Sequence, residues 1–322
     1  MSQSLYGDRL QSVPEYMTRA LELAELGRGK VEDHPLVGAV VVRDGEIVGE
    51  GWYEYAAVEH AEAKALAQAG ERARGSTLYV TLEPFAHTGR TPPCADAVIA
   101  AGVARVVIGA LDPNPKAAGG ADRLRAAGVE VEVLDSAEAL RQNEAWRTWV
   151  ALGRPFVTLK LAITLDGRVT APGRRWVTGE ESRRLVHELR AGSDAVAVGM
   201  GTVRADNPRL DARGVGATRQ PRRLAFGHGP TELELRSGPL EEELRALAAE
   251  GVQSLLLEGG PTLATAFARA GLVDKLLLFI SPRVSGRGPH WLGDLDAALD
   301  LSRFELRQVG DDVLVSAYVH EP

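Results

Sequence analysis

Apolar residues along the first half of the chain switch repeatedly between helical and alternating spacing. PEYMTRALELAELGRG places Met17, Leu21 and Ala24 on one helical face, and its glycines mark a stop. LVGAVVVRDGEIVGEG is two apolar runs around Asp44-Gly45, which suits the tight turn of a hairpin. A helix (HAEAKALAQAG), a strand (STLYVTLE), a helix (PPCADAVIAAG), a strand (ARVVIGALD), a short helix and a strand (VEVEVLD) follow. A closing helix is expected from about 138 to 150. One antiparallel hairpin followed by strand–helix alternation predicts a mostly parallel sheet with helices on both faces.

ALGRPF, with Gly153 and Pro155, is the best boundary, giving domains over 1–150 and 154–322. Beyond it FVTLKLAITLDGRVT opens a second series. DAVAVGMG, RRLAFG, SLLLEGG and KLLLFISP read as buried strands, and FELRQVGDDVLVSAYVH as a final hairpin around Gly310-Asp311-Asp312. A chain of 322 residues is comfortable for two α/β domains.

Composition narrows the setting. The formal net charge of −7 argues against a protein that tracks phosphates along nucleic acid. Cys94 is the only cysteine, so no intramolecular disulfide can form, which fits a reducing cytoplasm. MSQSLYGDRLQSVPEY has no basic segment leading into an apolar run, and runs such as LLLFI are too short to span a bilayer. The expectation is a cytoplasmic protein acting on a small molecule, with no nucleic-acid or membrane partner; a homo-oligomer stays open.

The chemistry concentrates in two places. His60-Ala61-Glu62 opens one predicted helix and Cys94, after Pro92-Pro93, opens another. A helix N-terminus offers unpaired N–H groups and a positive dipole end, which favours thiolate over thiol. His-x-Glu with a following Pro-Cys is the layout of zinc nucleobase deaminases, in which His and two thiolates hold the metal and Glu moves protons. In the second half, VGMGT and EGGPT each end an apolar strand, a position where glycine lets backbone N–H groups approach phosphate oxygens.

These segments resemble one family closely. PLVGAVVVRDGEIVGEG, HAEAKAL, TLEPFAHTGRTPPCADAVIAAG and DPNPKAAGG are similar to the deaminase half of the bifunctional riboflavin-biosynthesis RibD family. GRPFVTLKLAITLDGRVT, RWVTG, HELRAGSDAVAVGMGTVRADNPRLDAR, QPRR, LLLEGGPTL and LVDKLLLFISP resemble its reductase half. The resemblance implies a cytidine-deaminase-like three-layer α/β/α domain followed by a dihydrofolate-reductase-like domain. The latter would use NADPH to turn the ribosyl chain of an aminouracil phosphate into a ribityl chain by hydride delivery to C1′. By the same resemblance, Ala162, Trp176, Thr202, Asp206, Gly260, Pro261 and Thr262 correspond to cofactor contacts. Arg190, Leu210, Arg213 and Glu258 correspond to substrate contacts, the two arginines suiting its phosphate. Lys160 and Asp166 line the same cleft as candidate catalytic groups, as Glu62 does in the first domain.

Departures from the pattern change what is implied. Phe85 stands where the family has a Cys, and His34 where it has an Asn. A catalytic zinc needs three protein ligands and an open position, and the motif retains only His60 and Cys94 as metal ligands. Arg174 replaces a Ser, Gly227-His228 replaces Asp-Ser, and the segment between RRLAF and EEELRALAAEG is short enough to lack a strand. The expectation is a working NADPH-dependent reductase joined to a deaminase fold without its zinc. Two alternatives stay open: a bifunctional enzyme whose zinc site is rearranged through His87 or His34, and an impaired paralog that serves as a binding partner.

Overall fold

In a computed structural model of the chain, residues 14–87, 92–217 and 219–322 are described; the expected leader-free start over 1–13 and part of TLEPFAHTGRTPPC, 88–91, lie outside them. The chain divides into two compact units, Met1–Arg147 and Thr148–Pro322. Among the described residues no helix is long and apolar enough to cross a membrane.

The first unit runs α1 (Glu15–Glu25), β1 (Gly38–Arg43), β2 (Glu46–Trp52), α2 (Ala61–Ala69), β3 (Thr77–Leu82), α3 (Cys94–Ala100), β4 (Arg105–Ala110), α4 (Gly120–Ala126), β5 (Glu130–Val133), α5 (Ala137–Gln142), and α6 (Glu144–Leu152), which crosses the division. Its sheet has the order β2-β1-β3-β4-β5. The expected predominance of parallel pairing does not hold here. β1 pairs antiparallel with both β2 and β3, and only β3–β4 and β4–β5 are parallel. The chain leaves β2 through α2 and returns on the far side of β1, so β3 inherits the direction of β2.

Strand alternation builds the layers. Val40 and Val42 face α1 with Met17, Ala20 and Leu23, while Ala39 and Val41 face α2 and α3 with Ala61, Ala65, Ala95 and Val98. Each valine, leucine or methionine so buried contributes about 1.5–3 kcal/mol, each alanine methyl less. Gly51 lets α2 lie close on β2, because a Cβ there would stand 2.2 Å from the Ala61 carbonyl oxygen. That approach fixes the start of α2, and with it His60.

The single helix expected near the end of this unit is two, α5 and α6, interrupted at Asn143. The Asn143 side chain accepts from the Leu36 N–H at 2.8 Å and donates to the Leu36 carbonyl at 2.9 Å. A side-chain amide engaged this way ties the break to the loop before β1, a distant partner that periodicity does not reveal.

The second unit contains β6 (Phe156–Thr164), α7 (Glu180–Ala191), β7 (Ala195–Gly199), α8 (Met200–Asp206), β8 (Arg222–Phe226), β9 (Glu234–Arg236), α9 (Leu240–Ala249), β10 (Ser254–Leu257), α10 (Pro261–Arg269), β11 (Lys275–Ser281), β12 (Ser302–Val309) and β13 (Asp312–Tyr318). The strand order is β12-β13-β11-β6-β10-β7-β8-β9. From β11 to β9 every pairing is parallel; β13 and β12 close the other edge as the expected antiparallel hairpin. The segment expected to lack a strand does contain one, the three-residue β9, paired with β8. Ion pairs help hold it: Arg222 meets Glu234 and Glu250, each at 2.6 Å, and Arg236 meets Glu250 at 2.8 Å. With Leu235 its one apolar residue, β9 leaves no hydrophobic signature.

Alternation along β6 decides where the chemistry lies. Val157, Leu159, Leu161 and Ile163 enter the core shared with α9 and α10, including Leu244, Leu247, Ala264 and Phe267. Lys160 and Ala162 take the opposite face. There Ala162 packs with Leu277, Phe279 and, from α7, Leu185 and Val186.

Candidate functional site

In the first unit the helix starts fall where the sequence places them: His60 is the residue before α2, and Cys94 begins α3. His60 Nδ1 and Cys94 Sγ are 3.2 Å apart. Glu62, in the first turn of α2, is buried against them and hydrogen-bonds Cys94. Potential ligand atoms of His60, Glu62 and Cys94 all lie within 4.8 Å of one another. Burial pushes the Glu62 carboxyl up to about 7. Burial and, next, the approach of Glu62 push the Cys94 thiol well above its ordinary value. The thiolate expected from the helix dipole is therefore not favoured here, because desolvation and a neighbouring carboxylate outweigh it. Burial, then the nearby His34, lower the His60 imidazole below its ordinary value.

Phe85 occupies the remaining side. Its ring lies 5.3 Å from that of His60, which has Tyr53 on another side at 5.4 Å. His87 is exposed and touches Phe85 edge-on at 4.5 Å. His34 rests near Tyr53 and Tyr55, its Nδ1 2.8 Å from an Asp33 oxygen. Among the described residues neither histidine joins His60 and Cys94 in a three-donor group.

The loop carrying Phe85 is held by a residue sequence reasoning passed over. Glu83 accepts the N–H groups of Asp112 at 3.2 Å, Gly119 at 3.1 Å and Ala121 at 2.9 Å, binding TLEPF to the start of α4. Gly120 permits this contact, since a Cβ there would lie 1.7 Å from the Pro84 carbonyl oxygen. The signal was present in the joint occurrence of TLEP and DPNPKAAGG. The frame of a zinc hydrolase thus persists, but an imidazole and one thiol do not make its His/Cys/Cys donor set, because an aromatic ring replaces the second thiolate. No metal-borne step follows for this unit.

The second unit gathers more of its expected residues. Glu258, just past β10, is reached by Lys160 Nζ at 3.4 Å and by Arg190 of α7 through Nε at 2.5 Å and Nη2 at 2.9 Å. Burial would raise the Glu258 carboxyl, yet Lys160 and Arg190 outweigh it and hold it below its ordinary value. Arg190 Nη1 also donates to the Asp211 carbonyl at 3.2 Å, so this arginine is largely spent within the protein. Arg213 pairs with Asp211 and keeps a half-exposed side chain.

β7 and β10 are neighbours, so their glycine turns lie together: a Cβ on Gly260 would sit 3.2 Å from Thr202 Oγ1. Gly260 precedes Pro261 and Thr262 at the start of α10; Pro261 has no N–H, and the N–H groups of Thr262 and Leu263, which find no acceptor within the helix, can meet an anion. Gly201 faces open space. This is a cradle side chains would fill, and it fits a dinucleotide phosphate. Trp176 is 51% exposed, flanked by Arg175 and Arg183 with guanidinium carbons 5.1 and 5.4 Å from its ring centre. Asp206 is exposed at the end of α8. Leu210 is buried among Val196, Val198 and Met200, with a left-handed φ of 54°. Its side chain belongs to the core and only its backbone is left to meet a substrate.

Asp166 makes contacts of another kind. Its carboxylate accepts from Thr164 Oγ1 at 2.6 Å, Ser285 N at 2.9 Å and Gly286 N at 2.8 Å, and these bonds hold it well below the usual carboxylate range. His187 and Asp211 were not singled out from sequence. His187 Nδ1 lies 2.9 Å from the Asp211 carbonyl oxygen, one turn before Arg190 in HELR. The i, i+3 spacing of His187 and Arg190 on an amphipathic helix was the available signal.

Fold and sites together define a two-module chain, a deaminase-type α/β/α unit followed by a reductase-type unit built on a largely parallel sheet. The zinc-binding region of cytidine and deoxycytidylate deaminases matches residues 11–110, and the RibD C-terminal domain matches 155–315. Riboflavin biosynthesis protein RibD of Aquifex aeolicus is 39% identical over 93% of this chain and 96% of that protein. The Escherichia coli RibD is 39% identical over 92% and 97%. The solved Thermotoga maritima diaminohydroxyphosphoribosylaminopyrimidine deaminase/5-amino-6-(5-phosphoribosylamino)uracil reductase superposes with a TM-score of 0.79 at 34% identity, covering 94% of this chain and 97% of that one. The chain belongs to the RibD family of riboflavin biosynthesis proteins.

Proposed function

We propose that the second unit reduces 5-amino-6-(5-phosphoribosylamino)uracil to its ribityl counterpart with NADPH, and that the first unit keeps the deaminase fold without turnover. The observation that carries the reductase reading is the buried Lys160–Glu258–Arg190 cluster in the same unit as the paired glycine turns. NADPH supplies the hydride that C1′ receives. The paired turns at Thr202 and Gly260 to Thr262 receive its phosphates, while Ala162, Trp176 and Asp206 complete the cofactor contacts.

The protein's own groups then divide the work. Opening the ribose ring breaks C1′–O4′ and leaves O4′ needing a proton. An arginine does not give one up near neutrality, and Glu258 is held ionised, so Lys160 is the proton donor in this cluster. Glu258 keeps Lys160 and Arg190 in place. Arg213, less committed than Arg190, meets the substrate phosphate, and the Leu210 backbone orients the pyrimidine. Asp166 positions the turn after β6 against the Ser285-Gly286 backbone.

Lys160→Met tests this reading. The NADPH-consumption rate with the uracil substrate should fall by about 10²- to 10⁴-fold, with NADPH binding largely kept. Unchanged turnover would remove Lys160 from the mechanism, and no NADPH binding by the wild type would remove the reductase reading. In the first unit, water without a metal keeps a pKa of about 15.7 instead of about 7, so hydroxide is too scarce for deamination. Ammonia release from the diaminopyrimidinone substrate checks that half.

A further inference from the structure

We propose that a divalent cation entering the first unit is held by His60, Cys94 and Glu62. The carboxylate that carries protons in zinc deaminases then becomes a ligand, and metal occupancy does not restore deamination. The proposal rests on the reading that Phe85 has removed a thiolate from the site.

Geometry supplies the donors. His60, Glu62 and Cys94 form the cluster within 4.8 Å, whereas Phe85 contributes only a ring on the remaining side. Imidazole, thiolate and carboxylate are all ordinary zinc ligands. Glu83 on the same loop is engaged by three backbone N–H groups.

Charge balance selects Glu62. One imidazole and two thiolates neutralise a dication. With a single thiolate the site would carry a net positive charge beside groups only 3% and 4% exposed, Glu62 and Cys94. Such uncompensated charge is costly in the interior, and Glu62 is the anion in reach. A carboxylate coordinated to a dication loses the basicity needed to take a proton from water. The Phe85 replacement thus removes two things together, a ligand and, through recruitment of Glu62, the base.

The test uses full-length protein stripped with chelator and titrated with Zn(II), and in parallel with Co(II), whose thiolate charge-transfer band reports coordination by Cys94. Wild type should take up one equivalent. Glu62→Gln should weaken retention by more than about 100-fold, beyond the ~10- to 100-fold loss of a residue acting only through a ligand. Phe85→Cys rebuilds a second thiolate, so adding Glu62→Gln to it should cost less than about tenfold. Circular dichroism and NADPH binding verify folding of each variant. The proposal is overturned if wild type takes up neither metal, if Glu62→Gln retains it as tightly as wild type, or if the penalty is the same with and without Phe85→Cys. Ammonia release by the zinc-loaded wild type would overturn the functional reading itself, an outcome visible separately from metal retention.

Discussion

Each unit buries a glutamate at its site, and the two meet opposite surroundings. Glu62 faces the Cys94 thiol with the His60 imidazole beside it, and its carboxyl is driven up to about 7 by burial. The Glu258 side chain is 9% exposed, yet a lysine and an arginine reach it and hold its carboxyl below the ordinary value. A buried carboxylate stays ionised where cations are built in to meet it. In the second unit the chain carries its own cations. In the first, which matches the zinc-binding region of cytidine and deoxycytidylate deaminases, no cationic side chain is among the groups that act on Glu62, and the proposed reading leaves that positive charge to a metal.

The largest effect should come from removing the compensated anion. Glu258→Gln leaves Lys160 and Arg190, with 12% and 14% side-chain exposure, without the carboxylate they pair with, and Arg190 keeps only the weaker attraction of Asp211. Breaking a buried ion cluster this way costs about 3–5 kcal/mol, measurable by denaturant unfolding of the full chain followed through the second unit. A near-neutral result would break the contrast. The pH dependence sharpens it. Glu258 has a folded value depressed below 4.5, so its stabilisation is complete above that pH and is lost as pH falls through the folded value. Glu258→Gln should flatten that acid limb.

The next effect concerns the loop that carries Phe85. Gly120→Ala would press a Cβ toward the Pro84 carbonyl oxygen, now 1.7 Å from that position, and neither atom belongs to a flexible side chain. Overpacking of this kind costs about 1–3 kcal/mol. Thermal unfolding followed through the first unit, and the fluorescence of tryptophan variants near Phe85, would register the shift. Unaltered stability would mean that the Glu83 clasp is not what holds the loop.

How much of this was legible in the sequence follows from the range of each interaction. Strand alternation identified the sheets, because burial along a strand is a local pattern, while Lys160 and Ala162 were named only through the resemblance and the structure sets them on one face of β6. Hairpin turns at Asp44-Gly45 and Gly310-Asp311 were legible for the same reason. The antiparallel β1–β3 pairing was not, since no local signal tells which side of β1 a crossover returns to. Strand β9 was hidden because ion pairs to Arg222 and Glu250 hold it, and the break at Asn143 because its partner, Leu36, is far away in sequence. At the sites, the pairing of His60 with Cys94 followed from motif spacing, whereas Glu258 was named only through the family resemblance. The engagement of Arg190 with Glu258 and of Asp166 with backbone N–H groups needed three-dimensional neighbours.

The smallest predicted effect is the most diagnostic for the first unit. In chelator-stripped protein, Glu62 meets the Cys94 side chain and its own backbone N–H, with no cation among its interactions. Glu62→Gln exchanges one uncharged-neighbour hydrogen bond for another of similar shape, so unfolding free energy should change by less than about 1 kcal/mol. Glu258→Gln alters the same functional group, and the several-fold larger penalty expected there isolates the contribution of Lys160 and Arg190. The two variants should be compared in one buffer at neutral pH. Equal penalties would show that the two buried carboxyls are held alike, and that the first unit contains a counter-charge for Glu62 after all. Zinc adds a further separation: it should stabilise the wild type against unfolding and leave Glu62→Gln nearly unaffected, because ligand binding to the native state stabilises only as far as affinity allows.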